Sequence, residues 1–142
     1  MGRDDLVRDA TVGVWPVMIV ETDGLWPTYS DATLLLIAPS LGPAAVLLLH
    51  RLVWTYPTRW TTDDLADQLG LFPTKTVAAL ERLALYGHIS VEHDRTGELA
   101  IMVPSRLGPL TQRNLGSLPA RLKQLHARLA DQHAAAREPH AR

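Results

Sequence analysis

The period of the apolar residues changes at Gly87, and this change restricts the fold more than any other feature of the chain. After it the pattern is strict alternation: Ile89 and Val91 interleave with His88, Ser90 and Glu92, and Leu99, Ile101 and Val103 alternate on a return segment closed by Pro104. Asp94-Arg95-Thr96-Gly97 lies between them and reads as a hairpin turn. Before Gly87 the spacing is helical, in three stretches. The first starts near Gly42-Pro43, with Pro43 suited to a first turn, and presents Val46, Leu47, Leu49, Leu52 and Val53 as an apolar face; it stops before Tyr56-Pro57. The second is capped by Thr61 or Thr62, has Asp63 and Asp64 in its first turn, faces Leu65, Ala66 and Leu69 inward, and ends at Gly70. Leu71-Phe72-Pro73 turns the chain. Thr74 then caps a third helix over 75–86, with Val77, Leu80, Leu83 and Ala84 on its buried side.

The flanks are less regular. Residues 1–11 are charged and expected to be mobile. Residues 12–21 are rich in β-branched and aromatic side chains and read as a strand, which Pro16 limits to an edge or splits. Residues 32–49 run for eighteen positions without a charge, the length of a membrane span. Pro39, Ser40, Gly42 and Pro43 interrupt that run, and lipid cannot replace the hydrogen bonds a helix would lose there. Two buried elements joined by the turn at 39–42 is the better reading; periodicity does not decide whether 32–38 is a strand or a helix. Residues 105–117 read as a connector. A last helix over about 118–135 is expected, with Ser117 as its cap and Pro119 in its first turn. The expected class is mainly α with a small β-hairpin (α+β). It divides into an N-terminal strand-containing extension (1–41), a three-helix and hairpin domain (42–103), and a connector with an amphipathic C-terminal helix (104–142).

Three helices followed by a two-stranded hairpin is the winged helix-turn-helix order. Ala66 is small where two helices approach, Gly70 follows at the tight turn, and Val77 follows where the third helix packs back. The stretch Thr74-Lys75-Thr76-Val77 through Leu83-Ala84-Leu85-Tyr86-Gly87-His88-Ile89 resembles the recognition helix, and the step into the wing, of bacterial winged-helix transcriptional regulators. Leu41-Gly42-Pro43 and the segment from Val103 to His126 resemble parts of actinobacterial-type proteins that carry such domains. The resemblance covers about sixty residues and implies double-stranded DNA as partner, with the third helix in the major groove and the hairpin beside the backbone. It places Thr74, Lys75 and Thr76 at the start of that helix, Arg82 further along it, Arg59 before the second helix and Arg95 at the wing tip as candidate DNA contacts. Where the family usually has polar or basic side chains, this chain has Ala78 and Ala79, which offer at most a methyl contact to thymine.

Charge tempers that expectation. The chain carries 14 basic and 15 acidic side chains, a formal net charge of −1. Within 61–103, Lys75, Arg82 and Arg95 face seven acidic residues, whereas 104–142 hold seven basic residues against two acidic ones. Phosphate affinity can therefore reside in the C-terminal segment, and a few contacts would give modest, salt-sensitive binding. A second reading is a protein-interaction adaptor that uses the same fold without reading sequence, so a protein partner stays open.

Leu115, Leu118, Leu122, Leu125 and Leu129 follow a 3-4-3-4 spacing. That heptad seam, with Leu118, Leu122, Leu125 and Leu129 as its working part, would join a homodimer or pack on its own domain. Trp54, Tyr56 and Trp60 would line an aromatic pocket or pack in the core. Trp15 and Trp26 would do the same at an interface or in the core. His126, His133 and His140 recur every seven residues, about 10 Å apart, which is too far for one metal ion. There is no cysteine, which excludes disulfides and thiolate chemistry. No phosphate loop, nucleophile elbow or paired acid motif occurs, so neither enzyme activity, a metal nor a cofactor is expected. With no secretory signal or membrane span read, a cytoplasmic location is expected.

Overall fold

A computed structural model describes residues 3–54 and 58–137. Its elements in chain order are α1 (Arg3–Ala10), β1 (Val14–Val20), β2 (Trp26–Pro27), α2 (Asp31–Leu41), α3 (Pro43–Val53), β3 (Arg59–Thr61), α4 (Thr62–Leu69), α5 (Pro73–Leu85), β4 (Ser90–His93), β5 (Leu99–Pro104), β6 (Arg106–Leu107), α6 (Gln112–Gly116) and α7 (Ala120–Arg137). The fold is α+β, with a small mixed sheet in the order β3-β1-β5-β4 and a separate β2-β6 pair.

The helices α3, α4 and α5 and the β4–β5 hairpin follow the expected order, with local detail that explains each boundary. Thr61 Oγ1 accepts the Asp64 N–H at 3.1 Å and starts α4. Gly70 ends it at φ 68, ψ 30, a left-handed conformation that a Cβ makes costly. α5 starts at Pro73 rather than after Thr74, because proline lacks only an N–H that the first turn does not use. Its buried set is Thr76, Ala79, Leu80, Leu83 and Ala84, so the inward face is rotated from the expected one and Val77 is half-buried on its flank. In α3 the buried residues are Ala45, Val46, Leu48, Leu49 and Leu52, and Leu47, expected inside, points to solvent.

The N-terminal residues depart most from expectation. Residues 3–10 form a helix that lies along α5 and the hairpin strands, with Val7 and Ala10 buried. β1 is an inner strand, not an edge. It pairs antiparallel with β3 through Val14, Trp15 and Pro16, and parallel with β5 from Val17 to Val20. Pro16 thus sits where the strand changes partner, and its missing N–H is not required by β5. Residues 32–41 are helical, Pro39 lies inside α2, and Gly42 alone turns the chain into α3.

The remaining departures lie between β5 and α7. Residues 105–117, read as a connector, hold β6 and α6. Ser117 closes α6 with its hydroxyl on the Asn114 carbonyl (2.8 Å) instead of capping α7. One apolar core takes residues from all three expected segments, including Trp15, Trp26, Leu49, Leu80, Ile101 and Leu118. Residues 1–41 are therefore part of the central sheet and core rather than an appendage.

Candidate nucleic-acid interface

The solvent face of α5 and the turn of the β4–β5 hairpin hold most of the expected contact residues. Thr74, Lys75, Ala78 and Arg82 are exposed on α5. Because the first N–H groups of a helix have no partner within it, the Thr74 and Lys75 amides also lie at this end. Arg95 is exposed in the hairpin turn. That turn is held by Asp94, whose Oδ1 accepts the Thr96 N–H (2.8 Å), the Thr96 hydroxyl (2.6 Å) and the Glu98 N–H (3.0 Å). The Thr96 hydroxyl, chiefly, keeps the Asp94 carboxyl below its usual range, so the clamp is charged at neutral pH.

Three expected residues are placed differently. Thr76 is fully buried, and its hydroxyl donates to the Phe72 carbonyl at 3.2 Å, so it is withdrawn from any groove. Ala79 is buried too, which leaves Ala78 as the alanine on the outer face. Arg59 forms a two-pronged pair with Glu98, NH1 to Oε1 at 3.2 Å and NH2 to Oε2 at 2.8 Å. Glu98 thereby raises the Arg59 pKa further and engages the donor fork that a phosphate would need. Arg82 keeps its exposure but donates to the Ser40 carbonyl at 3.2 Å.

Two features of this surface were not read from the sequence. Phe72, just ahead of α5, is 76% exposed, an apolar ring beside the helix start. The only sequence signal for it is its place in the turn before Pro73. On the other flank, α1 covers part of α5: Arg8 Nε bonds Glu81 Oε1 at 2.9 Å. A shallow groove of about 380 Å³ remains there between Arg8, Pro73, Thr74, Val77, Ala78 and Glu81.

The other candidates fall within the core or around α7. Leu118 is buried, and Leu115, Leu122, Leu125 and Leu129 are half-buried against the chain's own core, so the leucine seam is largely covered within the chain. His126 is buried next to them. Its Nε2 accepts the Leu110 N–H at 3.1 Å and its ring meets Trp26 edge-on at 6.1 Å. Burial holds its pKa below the usual histidine value. Further along α7, His133 and Arg137 reach Asp23 at 2.8 and 2.7 Å. Trp60, Trp15 and Trp26 are buried, the last two with their indole N–H groups near Thr62 (3.3 Å) and Thr33 (3.1 Å). Arg51 stacks over Trp60 at 5.0 Å. Trp54 is half-exposed, while Tyr56, His140 and Arg142 lie outside the described residues. Among the described residues no cluster of three metal-ligating side chains forms, and no helix is long and apolar enough to cross a membrane. Set against protein-family models, curated proteins and solved structures, the chain matches none.

Proposed function

We propose that the chain is a small winged-helix DNA-binding protein, a transcriptional regulator of the bacterial type, that engages duplex DNA with α5 and the β4–β5 hairpin. The observation that carries this reading is the solvent face of α5. A tight left-handed turn at Gly70 leads into a helix that presents Thr74, Lys75, Ala78 and Arg82 outward, followed by a clamped hairpin with Arg95 in its turn. Lys75, Arg95 and the first amides of α5 suit phosphate oxygens. Phe72 and Ala78 suit thymine methyl groups. Thr76 and Arg59 are left out of the contact set.

A protein-interaction adaptor is the second reading, favoured by a specific observation. Residues 61–103 carry seven acidic side chains to three basic ones, and Arg59, the cation just outside that stretch, is paired with Glu98. The two readings separate in one titration. Fluorescence anisotropy with random-sequence duplex at two salt concentrations is expected to show binding that weakens with salt. Lys75→Ala and Arg95→Ala are each expected to lower the slope of log K against log salt by about one unit. Equal affinity in the unmodified chain and the double variant at both salt concentrations would remove the contact assignment and leave the adaptor reading.

A further inference from the structure

The uncharged run at 32–49 is explained only in part by the core, which takes Leu36, Ile37, Leu41, Val46, Leu48 and Leu49 from it, and not at all by the proposed DNA contacts. Between Asp31 and Arg51 the sole ionisable side chain is His50. The run folds into α2 and α3, and His50 Nε2 donates to the Ser30 carbonyl at 3.1 Å, so the end of α3 lies beside the start of α2 and the two helices are antiparallel. A helix at a protein surface normally turns charged and polar groups to water. These two turn Leu34, Leu35 and Leu47 outward, and Tyr29 and Trp54 extend the same surface with their rings 5.0 Å apart. All five are between 44% and 53% exposed. Tyr29, Leu47 and Trp54 surround one open groove of about 300 Å³.

We infer that this face of the α2–α3 hairpin is the homodimer interface, and that its occupant is the same face of a second copy. The first argument is area. Half-exposed side chains of this size offer on the order of 100 Å² each, about 500 Å² together. A standard interface of about 800 Å² per partner that is about 65% apolar needs about 520 Å² of apolar surface. The second argument is charge. A two-fold interface sets a patch against itself, so any charge at its centre meets its own copy; Leu34, Leu35 and Leu47 bring none, and Arg51, which lines the groove with His50, is turned over the Trp60 ring and bonded to Gln68. A helix lying on a membrane surface would instead carry a polar face rich in Lys and Arg, which neither helix has. The interface stands apart from the DNA reading, since a dimer that binds no DNA would leave it intact.

Light scattering on the full chain, over a dilution series and without DNA, tests the inference. The expected mass is twice that of the 15.7 kDa chain. Leu34→Glu and Leu47→Glu place a charge opposite its own copy and are expected to weaken the dimer by roughly 100-fold or more, with unchanged helical circular dichroism. The milder Leu47→Gln should act in the same direction. Because the chain has no cysteine, Leu47→Cys can carry a single spin label, whose spectrum should broaden through a second label across the interface. A single-chain mass at every concentration would overturn the assignment. So would a dimer that survives both glutamate variants but dissociates with Leu122→Asp, or an unbroadened label in a sample of dimeric mass. Loss of vesicle binding, rather than of dimer mass, in Leu47→Glu would assign the face to lipid and overturn it equally.

Discussion

His126 shows how one side chain can couple the fold to pH. Its Nε2 accepts a backbone N–H, which only the neutral ring can do, and the ring is buried among apolar neighbours. Burial is the cause of its lowered pKa. The sign follows from linkage: the unfolded chain takes up a proton near the ordinary histidine value of about 6.5, before the folded chain does. The stability is complete above that value and declines as pH falls below it, with a limiting slope of about 1.4 kcal/mol per pH unit for one proton. His88, lowered by burial as well, adds in the same direction. Melting temperatures recorded from pH 8 down to pH 5, the span in which histidine titrates, should fall in the acidic half, and His126→Gln should remove part of that fall. An unchanged slope in His126→Gln would show that the ring does not carry this linkage. None of this was legible in the seven-residue spacing of His126, His133 and His140, which tells only that they share a helix face. Thr76 departs from its expected surface position for a related reason: a hydroxyl can satisfy itself on the carbonyl four residues back, so a polar residue in a helical pattern is not thereby a surface residue.

At the level of elements, the sequence was most informative where a boundary has a chemical cause. A cap at Thr61 or Thr62, the Gly70 stop, the turn at 94–97 and the switch of period after Gly87 could each be read, and the elements they bound are present, with Thr61 as the cap. Elements held by distant partners could not. α1 owes its place to Val7 and Ala10 under a charged sequence, and β2 and β6 exist only because they pair across some eighty residues. α7 was legible as a helix, but which surface its leucines meet was not. Two glycines allow a test of what holds these junctions. At Gly70 a Cβ would meet nothing within 4 Å, so substitution costs only the left-handed backbone, about 1–2 kcal/mol for Gly70→Ala. At Gly24 a Cβ would come within 2.5 Å of the Leu107 carbonyl oxygen, where β2 and β6 come together. Gly24→Ala should therefore lower the melting temperature more than Gly70→Ala. The reverse order would mean that the approach of residues 24 and 107 is looser than described.

For the molecule as a whole, one core joins the N-terminal strand, the helices α3–α5 with their hairpin, and the C-terminal helix, so the three stretches distinguished in the sequence share that core. The strand β1 was legible, and so was a division at Pro16; what the sequence concealed is its place between β3, which pairs with 14–16, and β5, which pairs with 17–20. Charge is also distributed at this scale. An acidic central stretch presents a few cations on α5 and the hairpin, while Arg121, Lys123 and Arg128 are exposed on α7. Bulk affinity for DNA alone cannot tell which set makes contact. The most direct measurement is backbone amide chemical-shift mapping on adding duplex DNA. The proposed function predicts perturbations concentrated at 72–78 and 94–97, lost together in the Lys75→Ala, Arg95→Ala double variant. Perturbations confined to 120–137, or none at all, would contradict it.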